Sequence, residues 1–171
     1  KPGVVGTATF GTDTRSAAGY ALKMETPVLS EDVAADPRFE EAEVAREQRR
    51  LAYYAAPTAL AVNMHLYWTG IAADLWRAGD RSLQWLLEEA VRGEVFAAGH
   101  AESGNDIPVL LSTTKAQRVE GGYRFTGRKS FGSLSPVWTY LGIHGMDTED
   151  PSAPKIVHAF MPRDTEGYRI E

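Results

Sequence analysis

Apolar residues recur at helical spacing in the second quarter of the chain and predict a run of three helices. Residues 40–56 consist largely of good helix formers and end before Pro57. Proline suits the first turn of a helix, so a second helix begins at this residue and ends at Gly79. Asp80 is the predicted N-cap of a third helix, which ends at Gly93.

The second predicted helix is apolar around much of its circumference. Its apolar positions at helical spacing are Leu60, Met64, Tyr67, Trp68, Ile71 and Leu75. A helix of this kind is usually buried on several sides, in a bundle or at a subunit contact. We therefore expect the protein to form a homo- or hetero-oligomer.

After residue 94 the pattern changes to an alternation of apolar and polar positions, which predicts β-strands. Glu120, Gly121 and Gly122 form a predicted reverse turn that joins two of these strands into a hairpin. An antiparallel meander is the simplest topology for the set. The predicted strands cover residues 94–99, 113–119, 123–131, 138–144 and 155–161.

These patterns divide the chain into three segments and predict an α+β fold. Residues 1–39 are rich in Gly, Thr, Pro and Asp without a sustained period, and this indicates an irregular segment. Residues 40–93 form the predicted helical domain. Residues 94–171 form the predicted β-domain.

Composition narrows the classes of function. The chain has 171 residues, 43% of them hydrophobic, and a net charge of -5, which argues against a nucleic-acid partner. It has no cysteine, so disulfides and thiolate metal sites are excluded within it. Pro57, Asn63, His65 and Asp74 interrupt the apolar stretch 51–76, so we predict no membrane span. The absence of cysteine fits a cytoplasmic protein, and we predict that location.

The histidines show no metal-ligand spacing among themselves. They are His65, His100, His144 and His158. A lone histidine on a helix or strand is more often packed or solvated than bound to a metal ion. We predict no metal site.

A stretch of small residues closes the first predicted strand and lets a flat ligand approach the backbone. Ala97, Ala98 and Gly99 have little or no side chain to keep a ring away. A turn at residues 103–106 follows, and a cluster of basic, aromatic and small residues lies at 128–133. This part of the chain can hold a flat ring.

The same segments resemble the middle β-domain of the acyl-CoA dehydrogenases. The family's motifs are, in order, Thr-Glu-Pro-x-x-Gly-Ser-Asp, Thr-x-Ala, Tyr-x-Leu-Asn-Gly-x-Lys and Trp-Ile-Thr. The chain has Ala-Glu-Ser at 101–103, Thr-Lys-Ala at 114–116, Tyr-Arg-Phe-Thr-Gly-Arg-Lys at 123–129 and Phe-Gly-Ser at 131–133. The spacing from Glu102 through Thr114 to Lys129 fits the family without a gap. The resemblance extends over residues 43–93 upstream and to residues 156–162 and 167–170 downstream.

The resemblance implies a fold, a cofactor and an activity. The implied fold is a helical N-terminal domain packed on an antiparallel, β-barrel-like middle domain that is incomplete at its C-terminal side. The implied cofactor is FAD, and the implied enzyme is an oxidoreductase of fatty acid metabolism that dehydrogenates an acyl-CoA thioester with hydride transfer to the flavin. The implied partners are an acyl-CoA-type substrate and an electron-transfer flavoprotein or another electron acceptor.

The resemblance also implies which residues hold the flavin. Backbone groups of residues 98–101 bond the polar edge of the ring, Phe131 packs against its face, and the Ser133 hydroxyl lies near its reactive nitrogen. Glu102 belongs to the family's turn motif and is taken as structural. The expected cofactor-binding residues are Ala98, Gly99, His100, Ala101, Ser103, Phe131, Gly132 and Ser133.

The chain departs from the family's pattern at three places. Ala101 stands where the family has a threonine whose side chain bonds the flavin. The turn at 103–108 lacks the hydroxyl expected near the FAD pyrophosphate, and Ser103 or Asn105 could donate in its place. The family's catalytic base comes from a C-terminal helical domain that this chain does not match, so no catalytic residue is assigned.

Two alternatives to the dehydrogenase remain open at the level of the sequence. A flavin-dependent monooxygenase on the same fold is compatible with the small Gly132 beside Phe131. A non-catalytic subunit or interaction module, which keeps the fold and lacks the base, is the other.

Overall fold

The computed structural model describes residues 42–103 and 111–171 of the chain. Within these ranges two helices, α1 (Ala42–Arg77) and α2 (Gln84–Val91), precede five β-strands. The expected α+β class is confirmed. The predicted irregular segment 1–39 lies outside the described residues.

The helix α1 joins the first two predicted helices into one 36-residue element that is interrupted at Ala55. Ala55 has φ -150° and ψ 68°, which are not helical angles, and it lies two residues before Pro57. A proline inside a helix removes one backbone donor, and its ring clashes with the preceding turn. The predicted boundary at Pro57 is therefore a kink within one element.

The connection between the helices differs from the prediction for Asp80. Gly79 has φ +90°, a left-handed conformation that ends α1 two residues after Arg77. Asp80 Oδ1 accepts a hydrogen bond from the Ser82 N–H at 2.8 Å, and Leu83 occupies the N-cap of α2. The N-cap prediction is wrong because the chain makes a further turn before Gln84.

Within the described residues, the chain divides inside α1 into two compact units, one that ends at Asn63 and one that begins at Met64. In the first unit, Gln48 Nε2 donates a hydrogen bond to Asn63 Oδ1 at 2.7 Å. In the second, the last part of α1 packs with α2 and the sheet. The predicted division into domains at 40–93 and 94–171 stays a prediction.

The five strands form one mixed, open sheet around a central strand. They are β1 (Phe96–Gly99), β2 (Lys115–Val119), β3 (Gly122–Thr126), β4 (Tyr140–Asp147) and β5 (Lys155–Pro162). The strand β5 pairs antiparallel with β4 along its length, and β1 and β2 follow one another, both parallel, along the other edge of β4. The strand β3 forms an antiparallel hairpin with β2.

This topology corrects two predictions. The sheet is neither an antiparallel meander nor barrel-like, because β4 pairs parallel with β1 and β2 and the sheet does not close. Parallel pairing needs a connection of a dozen or more residues. The chain between β1 and β4 includes the whole β2–β3 hairpin, and the chain between β2 and β4 includes β3 and residues 127–139, so both connections exceed that length. All five predicted strands exist, but the return strand of the hairpin ends at Thr126 instead of residue 131.

The part of α1 after Met64 and the helix α2 cover one face of the sheet. A buried cluster of Trp68, Ala72, Leu86 and Phe96 lies at this contact. Trp68 Nε1 donates to the Ala97 carbonyl at 3.0 Å and so fixes the helix to β1. Neither described helix combines the length and the apolar character that crossing a bilayer requires.

Candidate functional site

A cleft of about 760 Å³ opens on the sheet face opposite the helices. Because side chains alternate along a strand, Ala97 and Gly99 face away from the buried cluster, which contains Phe96 and packs against Ala98. Gly99, Leu141 and Ile143 contribute to the wall of this cleft. Gly99 is itself buried, and a Cβ placed on it would lie 3.3 Å from Leu141 Cδ1, so Leu141 packs closely on the backbone of β1 at this border of the cleft.

Phe131 borders the same cleft from the segment between β3 and β4. Its side chain is 77% exposed, and its backbone has φ +55°. A bulky residue in the left-handed region is uncommon and strained, and such residues concentrate at functional sites. The hairpin strand had already ended at Thr126, which pairs with Lys115, the first residue of its partner β2.

The segment that carries Phe131 is fastened at both ends. The Ser130 N–H donates to the Ala101 carbonyl at 2.8 Å, next to the end of β1. At the other end, Arg163 Nη1 donates to the Ser135 carbonyl at 2.8 Å and to the Trp138 carbonyl at 3.0 Å. The Arg163 guanidinium also lies 4.7 Å from the centre of the Trp138 ring, which is buried and borders the cleft.

The structure brings together only part of the predicted cofactor-binding set. Gly99, Phe131 and Gly132 border the cleft. Ala98 and His100 instead pack on the helix side of the sheet, Ala98 against the buried cluster and His100 with its ring 5.3 Å from that of Trp68.

The remaining predicted residues lie outside the lining of the cleft. Ala101 contributes its carbonyl to the bond with Ser130. Ser103 and Ser133 do not border the cleft in the part of the chain that the structure describes, whereas Ser135 does. The assignment of Ala101, Ser103 and Ser133 to cofactor binding stays a prediction.

Beside the cleft, the Glu102 carboxylate is buried and saturated with hydrogen bonds. It accepts six hydrogen bonds from described residues, five of them from backbone and hydroxyl groups of Ser112, Thr113 and Thr114. The sixth comes from the Lys129 ammonium at 2.5 Å. Burial raises the pKa of Glu102, but the bonds from Lys129, Thr114, Ser112 and Thr113 outweigh burial and hold this pKa well below its usual range. Glu102 is ionised at neutral pH.

Lys129 connects this carboxylate to a histidine and to the cleft. Its ammonium lies 3.3 Å from Ser112 Oγ and 3.3 Å from His144 Nδ1, and the residue also borders the cleft. Since an ammonium only donates, His144 Nδ1 must accept. The His144 proton is then on Nε2, which lies 3.3 Å from the Leu111 carbonyl. The bonding pattern thus assigns a neutral His144 with one defined tautomer.

Three of the four histidines form a cluster on the helix side of the sheet, in which His144 is buried and the other two are half-buried. His144 and His158 are cross-strand partners on β4 and β5, and the His100 ring lies 4.8 Å and 5.6 Å from their rings. Burial, followed by the charges of His144, His158 and Lys129, lowers the pKa of His100 to about 3. Burial also lowers the pKa of His144 and of His158. The cluster is therefore neutral at physiological pH.

The sequence did not indicate this cluster, because only the register of β4 against β5 and the parallel placement of β1 bring the three rings together. Two of their nitrogens, His100 Nε2 and His158 Nδ1, are buried and find no hydrogen-bond partner in the described ranges. In those ranges, no group of three or more His, Cys, Asp or Glu side chains has an arrangement that could hold a metal ion.

Comparison with family models gave no match, and comparison with curated proteins gave none either.

Proposed function

We propose that the chain is the flavin-binding part of an FAD-dependent, acyl-CoA dehydrogenase-like oxidoreductase. The observation that carries the proposal is the shared border of one cleft by Gly99 of β1 and by the exposed ring of Phe131. The motif order from Glu102 through Thr114 to Lys129 supports it further, because these three side chains meet at one carboxylate.

The residues of the cleft fit a flat, anionic cofactor. Pockets for small ligands and cofactors have volumes of about 300–1,000 Å³, and this cleft falls in that range. The exposed Phe131 ring offers a surface for stacking. Gly99 borders the same cleft, together with Leu141 and Ile143. The lining carries the cationic residues Arg128 and Arg169, which suit phosphate groups.

In the proposed reaction, bound FAD would supply the capacity to accept a hydride from the β-carbon of an acyl-CoA thioester. The described residues bind and orient the ligand and shield it from water. Glu102 is not the base that removes the α-proton, because its low pKa and its ion pair with Lys129 leave it no affinity for a proton at neutral pH. The proposal includes an electron acceptor of the electron-transfer flavoprotein type, an oligomer, and a cytoplasmic location in lipid metabolism.

Flavin retention tests the proposal directly. The 171-residue chain is incubated with FAD and desalted, and the flavin absorbance of the protein fraction is measured. We expect Phe131→Ala to weaken FAD binding about fivefold, because aromatic contacts contribute about 1 kcal/mol. Tyr53→Ala is the matched control, since Tyr53 is 84% exposed and does not border the cleft. Colourless wild-type protein would contradict the proposal and favour a non-catalytic interaction module.

Anaerobic titration separates the two flavin chemistries. Bleaching of the bound flavin by an acyl-CoA without oxygen supports dehydrogenation. Bleaching only by an added reductant, followed by rapid reoxidation in air, contradicts dehydrogenation and favours a monooxygenase on the same fold.

A further inference from the structure

One carboxylate joins two arginines at the border of the cleft. Arg128 Nη2 lies 2.7 Å from Glu171 Oε2, and Arg169 Nη2 lies 2.7 Å from Glu171 Oε1. All three residues border the cleft that also contains Phe131. Each oxygen of the carboxylate therefore has its own guanidinium.

This arrangement has the form of a phosphate site occupied by an internal carboxylate. A phosphate group presents two oxygens at a spacing close to that of a carboxylate, and arginine binds both groups through the same donors. Two guanidinium groups that hold one carboxylate between them can therefore hold one phosphate in the same way. A phosphate carries more charge than a carboxylate, so it has the stronger attraction to the pair.

The Glu171 carboxylate is readily displaced. The side chains of Arg128 and Arg169 are 79% and 85% exposed, and that of Glu171 is 46% exposed. Ion pairs this exposed contribute little to stability because water screens them. Breaking them to admit a ligand consequently costs the protein little.

The charge of the remaining lining favours an anion as well. The third cationic residue of the lining, Lys129, is neutralised by its buried ion pair with Glu102, and Glu171 supplies the only carboxylate among the described residues of the lining. The exposed positive charge of the cleft is thus concentrated in the arginine pair.

We propose that Arg128 and Arg169 bind the phosphate groups of the ligand whose ring lies against Phe131, and that Glu171 occupies their place until the ligand enters. This rests on the proposed function for the identity of the ligand. It supplies the phosphate contact that the turn at 103–108 lacks relative to the acyl-CoA dehydrogenase motif.

Flavins that differ only in their phosphates test the site. Dissociation constants of FAD, FMN and riboflavin are measured for the wild type, for the double variant Arg128→Gln/Arg169→Gln and for Glu171→Gln. We expect the double variant to bind FAD and FMN about tenfold or more weakly, and riboflavin unchanged, because only the phosphorylated flavins meet the arginines. Glu171→Gln should bind FAD more tightly, since the competing charge is gone.

The control is Arg92→Gln/Arg124→Gln, which removes two exposed arginines that do not border the cleft. Equal losses of FAD and riboflavin affinity in the double variant, or no loss, would overturn the phosphate site while leaving the flavin cleft in place. Raised salt should weaken FAD binding and spare riboflavin, because screening acts on the charged contact alone.

Inorganic pyrophosphate separates this site from the proposed function. If the wild type binds no flavin, calorimetric binding of pyrophosphate that is lost in the Arg128→Gln/Arg169→Gln variant supports the phosphate site without the flavoprotein. Absence of both flavin and pyrophosphate binding overturns the site. A competing effect of coenzyme A on pyrophosphate binding, without binding of FMN, would assign the phosphate to the thioester substrate instead of the cofactor.

Discussion

Glu102 and Lys129 are 27 residues apart in the sequence, and their charged groups meet at 2.5 Å beside the cleft. Their side chains are 4% and 15% exposed. Neither charge is accessible enough for water to replace its partner. The ion pair therefore joins the loop after β1 to the segment after β3, the two parts of the chain that carry the predicted flavin residues.

Removing the Lys129 ammonium should destabilise the folded protein. We expect Lys129→Met to lower the free energy of unfolding by about 3–5 kcal/mol, because it leaves a buried carboxylate without its counter-charge. Urea unfolding measures the change. The double variant Glu102→Gln/Lys129→Met should recover part of the loss, whereas Arg77→Met, which breaks an exposed pair with Asp74, should cost less than about 1 kcal/mol. Equal losses in Lys129→Met and Arg77→Met would contradict the burial of this ion pair.

The histidine cluster should make stability fall in mild acid. Each folded-state pKa is lowered, so below about pH 6.5 the unfolded chain takes up protons that the folded chain refuses. Stability is then lost as the pH falls from about 6.5 toward the folded value of His100, about 3. The loss is at most about 1.4 kcal/mol per pH unit for each histidine.

Unfolding curves between about pH 7 and pH 5 isolate this effect, because the carboxylates titrate mainly below that range. The unfolding free energy of the variant His100→Leu should depend less steeply on pH than that of the wild type. The difference in slope should correspond to nearly one proton fewer taken up on unfolding. His65 also has a pKa lowered by burial and keeps its contribution in both proteins. A slope that His100→Leu leaves unchanged would show that His100 is already protonated in the folded state.

Phe131→Gly should stabilise the fold while weakening the proposed flavin binding. Glycine adopts φ +55° without strain, and a strained residue of this kind costs about 1–3 kcal/mol. The Phe131 ring is 77% exposed, so its removal sacrifices little burial. Thermal unfolding and FAD titration are measured on the same preparation. Lower stability in this variant would mean that the ring itself holds the segment in place.

Gly142→Ala should destabilise the contact between α1 and the sheet. A Cβ at Gly142 would lie closer than 3.0 Å to three atoms of the Trp68 indole, which its bond to Ala97 holds in position. We expect a loss of about 1–3 kcal/mol from overpacking, measured by urea unfolding. Gly70→Ala is the matched control. A Cβ at this position in α1 meets nothing within 4 Å, and the substitution should raise stability by about 0.5–1 kcal/mol. The double variant Trp68→Leu/Gly142→Ala should lose less unfolding free energy than the sum of the losses in the two single variants, because the smaller side chain leaves room for the Cβ.

Local features of the fold could be read from the sequence, and long-range ones could not. The hairpin turn before Gly122 follows from glycine chemistry that acts within a few residues, and Gly121 indeed has φ +79°. The parallel pairing of β1 with β4 joins Phe96 to Tyr140, 44 positions on, and no local pattern specifies such a partner.

The candidate site shows the same division. Small residues at the end of β1 indicated the wall at Gly99, because the absence of a side chain is visible in the sequence. The side chains of Ala98 and His100 lie on the face opposite Gly99, and their predicted role in cofactor binding stays a prediction. Arg128, Arg169 and Glu171 were not singled out, because their meeting depends on how the segment after β5 returns over the cleft.

The strand β4 fixes the relative positions of the other strands, because β1, β2 and β5 all pair with it. In its first half, Ile143 is the register partner of Gly99. In its second half, His144 Nδ1 accepts a hydrogen bond from the Lys129 ammonium. A register slip of one position in β4 would turn Ile143 and His144 to the opposite faces of the sheet at once. The cleft wall and the buried ion pair of Glu102 and Lys129 consequently depend on the same strand register, and a substitution that shifts β4 should damage both together.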